Sequence, residues 1–447
     1  MTRRRTDEED MSPQPRPTGS AGVCVEVAAA PRRYADVGEV IDDRAVWTAF
    51  QPIVRLDSRE VVGYEALSRG PAGTVWQDPI AMFDAARAIG RSGELDWICR
   101  ARAHQAATGA GLHHDLALFV NVEPSTLREP CPRDLLPAFN RTHARVVMEL
   151  TERDLAADPA ALLMAAAGHR AAGHGLALDD VGAEPASLAL MPFVDPDVVK
   201  LDMRLLHRPD LPQTAQVVNA VVAHAERTGA LIVAEGIERE HHLARARSMG
   251  ATLGQGWLLG HPGQLPHTGN AGSRRPIESL ATAPAVAADG AHGRTPFEIV
   301  AATRPAGRTT KRALLTTTRY LESKVADTAD PPVLLACFQD AGRFTPATAH
   351  RYALLAKDSP FVAAFGTGFA ADPAPGVRGA AIDPGDRLGQ EWNVVVVGPY
   401  FSAALVARDL GDDGADRHRR FEYALTYERP VVIETARALL RRLGPAA

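Results

Sequence analysis

Gly175-Leu176-Ala177-Leu178-Asp179-Asp180 and, further on, Asp197-Val198-Val199-Lys200-Leu201-Asp202 decide how this chain is read. Each is a short apolar run that ends on charge, and short apolar runs separated by longer segments read as buried parallel strands joined by helical crossovers. The same sign recurs outward in both directions. Glu65 stands in VGYEAL (62–67), Asn121 in LALFVN (116–121), Glu149 in VVMEL (146–150), Glu235 in LIVAEG (231–236) and Gln255 in ATLGQG (251–256). In a closed (β/α)8 barrel the C-terminal strand ends open into one mouth. The pattern therefore predicts an α/β, TIM-like barrel in which Glu65, Asn121, Glu149, Asp179, Lys200, Glu235 and Gln255 converge in an enzyme-like site. A single acid at one strand end reads as a cap or a solvated residue; the ordered series does not.

Composition bounds the rest. The 447 residues are 46% hydrophobic and 23% charged, with a formal net charge of −5. That is ordinary for a globular chain and gives no overall basic field for nucleic acid or an anionic membrane. No run approaches the roughly 20 apolar residues of a membrane span. Cys24, Cys99, Cys131 and Cys337 are scattered without a CxxC pair, which fits a reducing cytoplasm.

Residues 1–40 mix charge, Pro, Ser and Gly and read as a disordered tail. Strand and helix patterns alternate from 41 to 265. FQPIVRL and VGYEAL are two strands joined by a tight link, and residues 79–108 carry apolar positions at helical spacing. Residues 266–295, rich in Gly, Pro and Ala, read as a linker. A second compact region, 296–447, contains the strand-like runs PVLLACF, FVAAFG and WNVVVVGP and ends in a helical pattern. It is expected to be a smaller α/β or α+β domain. His113, His114, His241 and His242 fall away from the strand ends and read as surface histidines.

Taken in order, YEALSRG (64–70), FVNVEP (119–124), ELTE (149–152), LDDVG (178–182), VKLD (199–202), AEGIE (234–238) and LGQGWLLG (253–260) resemble the EAL-domain cyclic-di-GMP phosphodiesterases. QPIV (51–54) is similar to that family's opening strand. The chemistry can be argued beside the likeness. Hard divalent cations prefer oxygen ligands, and two of them roughly 3.5–4 Å apart can clamp the attacking and leaving oxygens of a phosphoryl transfer. The resemblance implies metal-dependent hydrolysis of cyclic di-GMP to linear 5′-pGpG, with Mg2+ or Mn2+ held by Glu65, Asn121, Glu149, Asp179 and Asp180. It implies that Lys200 and Glu235 handle the attacking water, that Glu152 supports a loop, and that Gln51, Arg69 and Gln255 contact substrate. It also implies a homodimer formed through the barrel. The alternative is a receptor that holds cyclic di-GMP without turnover.

One stretch departs from the family. DDVGAEPASL (179–188) has Val181 where Phe is usual and Ala183-Glu184-Pro185 where a Gly-rich loop is usual; Pro185 fixes φ and removes a donor. A stiffer loop and slower turnover are expected. The second region resembles the DICT sensory domain through SKVAD (323–327), ACFQDAGRFTPATAHRYALLA (336–356) and PGVRGAAIDPGDRLGQEWNVVVVGP (375–399). The likeness implies an input module whose signal or protein partner is unassigned. No Gly-Gly-Asp/Glu-Glu-Phe motif is present, so cyclase activity is not suggested.

Overall fold

The computed structural model describes residues 34–123, 129–140, 144–151, 158–183, 188, 191–266, 293–326, 332–412 and 415–444. Eight strands close into a barrel in sequence order: β1 Trp47–Arg55, β2 Val61–Arg69, β3 Ala117–Asn121, β4 Arg145–Thr151, β5 Gly175–Val181, β6 Val198–Leu201, β7 Leu231–Ala234 and β8 Leu253–Gly254. Helices α1 Val37–Asp42, α2 Pro79–Ala88, α3 Ser92–Gly109, α4 Leu136–Phe139, α5 Pro159–Ala171, α6 Met191–Val194, α7 Met203–His207, α8 Pro212–Thr228 and α9 Glu240–Ser248 belong to the same half. From β2 to β8 neighbours are parallel. β1 departs from an all-parallel barrel: the tight link after it makes a hairpin, so it runs antiparallel to both β2 and β8. α1 also moves the expected edge of the tail. Val37, Val40 and Ile41 are buried, so the folded chain begins before residue 41.

Strand alternation explains why the polar residues face inward. Phe119, Val147, Ala177, Val198, Val233 and Leu253 form one cluster inside the barrel. Two residues further along each chain stand Asn121, Glu149, Asp179, Lys200, Glu235 and Gln255. Side chains at i and i+2 share a face of a strand, so each polar residue lies in the layer above its apolar partner. The intervening residues, such as Leu176 and Leu178 of β5, Val199 and Leu201 of β6, point outward into the core beneath the helices. Local chemistry fixes the crossovers. Asp158 accepts a hydrogen bond from Ala161 N at 3.0 Å with Pro159 opening α5, and Gly229 closes α8 in the left-handed region, φ 79°.

The second half holds α10 Pro296–Ala301, β9 Gly307–Thr310, α11 Lys311–Ala326, β10 Val333–Asp340, α12 Pro346–Leu355, β11 Val362–Thr367, β12 Val377–Ala381, β13 Glu391–Val397, β14 Ser402–Asp409, β15 Arg420–Thr426 and α13 Arg429–Leu440. The strands form one sheet in the order β12-β11-β10-β13-β14-β15-β9. β10, β11 and β12 are parallel and the remaining pairs antiparallel. One face packs on α11 and α12; the other packs on α10 and α13, whose buried residues continue into the core around the barrel. No described helix is long and apolar enough to cross a membrane.

Candidate active site

Lys200 is the centre of the mouth. Its side chain is fully buried, and Nζ lies 2.8 Å from Glu149 Oε1, 2.9 Å from Asp179 Oδ1, 2.8 Å from Glu235 Oε1 and 3.4 Å from Glu65 Oε2. Around Glu65 a hydrogen-bonded shelf forms. Asn121 Nδ2 donates to its Oε1 at 3.3 Å, and Gln255 Nε2 donates to its Oε2 at 2.6 Å and to Gln51 Oε1 at 3.0 Å. Gln51 reaches this shelf because β1 places it directly opposite Glu65. Its own Nε2 donates to Gly260 O at 3.1 Å, tying the first strand to the chain after the last.

Four carboxylates around one ammonium leave excess negative charge in a closed space. Glu149 Oε1 and Asp179 Oδ1 meet Lys200 Nζ at 2.8 and 2.9 Å, but that one ammonium is shared among four acids, and among the described residues Glu149 Oε2 has no hydrogen-bond partner. Oxygens of Glu65, Glu149 and Asp179 lie within 4.8 Å of one another, as do those of Asp179, Asp180 and Glu235. Two oxygen-only sets sharing Asp179, with under-satisfied buried acids, fit hard divalent cations. Asp180 is exposed and left-handed at φ 54°, which turns the chain sharply at the top of β5.

The charges bias one another strongly. Burial pushes Glu149 well above the usual carboxylate range, and Glu65 adds to the effect. Burial raises Glu235 to about 8, with Lys200 opposing and Asp179 and Glu65 reinforcing. Glu65 goes the other way: burial would raise it, but Lys200 and the donors from Gln255 and Asn121 hold it below its ordinary value. Burial alone would lower Lys200, yet Asp179, Glu149, Glu235 and Glu65 keep it firmly protonated.

Arg69 lies beyond this shelf at the end of β2. It lines a cavity of about 460 Å3 with Thr74, Val75, Gln77, Asp78 and Pro79. Glu152 lies outside the described residues, so its expected loop role has no structural counterpart here.

Two supporting residues were not singled out by the sequence, and a third was placed on the surface. Asp96 and Arg100, one turn apart on α3, form a buried ion pair at 2.6 Å, and Asp96 Oδ1 accepts from Glu123 N at 3.1 Å, two residues past Asn121. Their signal is visible afterwards: both fall among the apolar positions Leu95, Ile98 and Ala101, where a charge needs a partner. His242, expected on the surface, is buried instead. Its Nδ1 accepts from Glu238 N at 3.3 Å and its ring also bonds Gly236, so it clasps the loop that follows Glu235. Burial and the neighbouring His207 and His241 lower its pKa, which keeps that acceptor available.

Comparison with known proteins places this architecture. The EAL domain model matches residues 36–262, and the model described as a sensory domain in diguanylate cyclases and two-component systems matches 298–410. The chain belongs to the EAL-domain family. It is 30% identical over 226 residues to the probable cyclic di-GMP phosphodiesterase PdeB of Escherichia coli (strain K12), covering 49% of this chain and 43% of that one. It is 28% identical over 251 residues to the cyclic di-GMP phosphodiesterase RocR of Pseudomonas aeruginosa, covering 53% and 62%. The chain thus spans about half the length of these curated relatives. A solved structure of Klebsiella pneumoniae BlrP1, a calcium/cy-diGMP complex, is 28% identical over 49% of this chain and 58% of that chain, with a TM-score of 0.44.

Proposed function

We propose that the barrel hydrolyses one phosphodiester of cyclic di-GMP to give linear 5′-pGpG, under control of the C-terminal domain. The observation that carries this reading is the gathering of buried Glu65, Glu149 and Asp179 and partly buried Glu235 around Lys200 at one end of the barrel. Such a pocket would repel a dianionic dinucleotide unless cations balanced it. The named relatives that are cyclic di-GMP phosphodiesterases support the substrate.

In this reading Glu65, Asn121, Glu149 and Asp179 would hold one Mg2+ or Mn2+, and Asp179 and Asp180 a second. Bound there, the cations would polarise the phosphoryl oxygens and ease deprotonation of water. Lys200, kept charged by its acids, orients the attacking oxygen through an N–H donor. Glu235, which neighbouring cations would favour in its ionised form, accepts the proton of that water. The water oxygen bonds to phosphorus as the bond from phosphorus to the 3′ oxygen breaks, and the released 3′ oxygen takes a proton from solvent to leave as a hydroxyl. Gln255, braced by Gln51, holds Glu65 in place and both glutamines contact substrate, while the Arg69 guanidinium takes a phosphate oxygen. A second copy docked through the barrel and an unassigned input to the C-terminal domain complete the proposal.

The departure at Val181–Pro185 favours a second reading, a receptor that binds the nucleotide without opening it. Incubating the full chain with cyclic di-GMP and Mn2+ or Mg2+ and separating products by chromatography decides between them. Metal-dependent pGpG is the expected result; saturable binding with no pGpG would establish the receptor.

A further inference from the structure

The crossover from β5 to β6 joins the two parts of the site that matter most, since Asp179 and Asp180 end β5 and Lys200 lies within β6. Its described helix is only one turn, α6, and Met191, Pro192, Phe193 and Val194 are all buried. One turn cannot cover the barrel face by itself. α13, the last described helix of the chain, packs there against α5 and α6. Val432, Ala436, Leu439 and Leu440 of α13 share one core with Met191, Phe193 and Val194.

From α13, Arg437 crosses into this seam with directed bonds. Arg437 Nε donates to Phe193 O at 2.8 Å, and its Nη2 reaches Pro192 O at 3.4 Å. Helix-end carbonyls lack partners inside their own helix, so these are acceptors that α6 cannot satisfy alone. Directly after α6, Asp195 takes φ 55°, and Asp197 then locks the start of β6. Asp197 N donates to Leu176 O at 2.8 Å, its carboxylate accepts from Leu176 N at 2.8 Å, and its carbonyl accepts from Leu231 N at 2.9 Å. Only Val198 and Val199 separate this lock from Lys200. Among the described residues the crossover is held by its own barrel through Asp197 and through Arg170 of α5, which donates to Asp195 O and reaches the Asp197 carboxylate, and by the C-terminal domain through Arg437.

We propose that Arg437 is a positioning residue for the barrel's reaction: it fixes α6 from the C-terminal domain and thereby sets Lys200 and the Asp179–Asp180 end of β5. This rests on the hydrolase reading and gives the C-terminal domain its route to the mouth. Movement of α13 within its own domain would be transmitted as a shift of the Pro192 and Phe193 carbonyls.

The test uses the full chain with Arg437→Met, which keeps the apolar stem but removes the donors, and Arg437→Lys, which restores one donor should the first variant fold poorly. Two readouts are compared: kcat and KM for cyclic di-GMP with Mn2+, and Mn2+ affinity measured by calorimetry without nucleotide. Arg437→Met is expected to lower kcat roughly 10- to 100-fold with KM little changed, the scale on which small misplacements act. Mn2+ affinity should weaken in parallel, and Arg437→Lys should recover part of both. Wild-type kcat and wild-type Mn2+ affinity in folded Arg437→Met would overturn the proposal. A native chain that binds Mn2+ but makes no pGpG would refute the hydrolase reading instead, and Mn2+ affinity alone would then decide the role of Arg437.

Discussion

The mouth of the barrel and the C-terminal sheet domain hold their acids in opposite ways. In the C-terminal sheet domain they are matched: Glu322 takes Arg351 at 2.8 and 3.4 Å, Asp386 takes Arg442 at 2.6 and 3.3 Å, and Asp409 is paired with Arg419. Glu391 is satisfied by Phe297 N at 3.1 Å and Asn393 at 2.9 Å. In the barrel, Glu65, Glu149, Asp179 and Glu235 share one lysine. Matched pairs hold a fold together; an unmatched set is a standing demand for something from outside. The difference separates architecture from chemistry more clearly than residue type does.

The sharpest way to break this contrast is to remove one charge from the barrel. Asp179→Asn keeps the size and should reduce pGpG formation about 1,000-fold or more, because both oxygen sets lose a shared ligand. Near-normal turnover in the folded variant would refute the assignment. Glu235→Gln should cut kcat by about 100- to 10,000-fold, the span of general-base contributions, while cyclic di-GMP binding with metal persists. Loss of binding with intact turnover per bound nucleotide would make Glu235 a binding residue.

The matched side should answer differently. Arg351→Met strands Glu322, so unfolding should become easier by about 2–4 kcal/mol, somewhat less than for a fully buried pair because the arginine is partly exposed. Its kcat should stay within about twofold of wild type. A large fall in kcat at full stability would place Glu322 and Arg351 in signalling rather than architecture.

The smallest effect concerns pH in metal-free protein. Glu235 is raised from 4.5 to about 8 on folding, so its favourable contribution is complete below the lower value and disappears as pH climbs through the upper. In chelator, Tm should therefore fall as pH rises from about 5 to 8 and level off above that, and Glu235→Gln should flatten that slope. A slope unaltered by the substitution would assign the titration to another group.

Much of the site was legible because strand alternation puts its residues on one face. Glu149, Asp179, Lys200 and Glu235 each stand two places beyond a residue that plugs the barrel, and that spacing is local. What was not legible is what depends on contacts between distant segments. His242 looks like one of a surface pair until the loop at 236–238 folds over it. The apolar spacing of α1 is only a few residues long, so it vanishes into the Ala-rich stretch before it. The direction of β1 follows from a hairpin whose shortness was visible, but its consequence, Gln51 set opposite Glu65, required the closed barrel. Arg437 was the hardest to see: a helix near the chain's end reads as part of its own domain, and nothing near it in sequence points to Phe193.

The covering of α6 by α13 also matters for the order in which the protein is made. Strand β8 leaves the ribosome well before α13 exists, and at roughly 5–20 residues per second the interval is on the order of tens of seconds. During that time Met191, Phe193 and Val194 belong to a barrel whose outer wall is one helix short. The nascent chain carries an apolar opening there until α13 arrives. Truncations that remove α13 should therefore damage the first half of the protein.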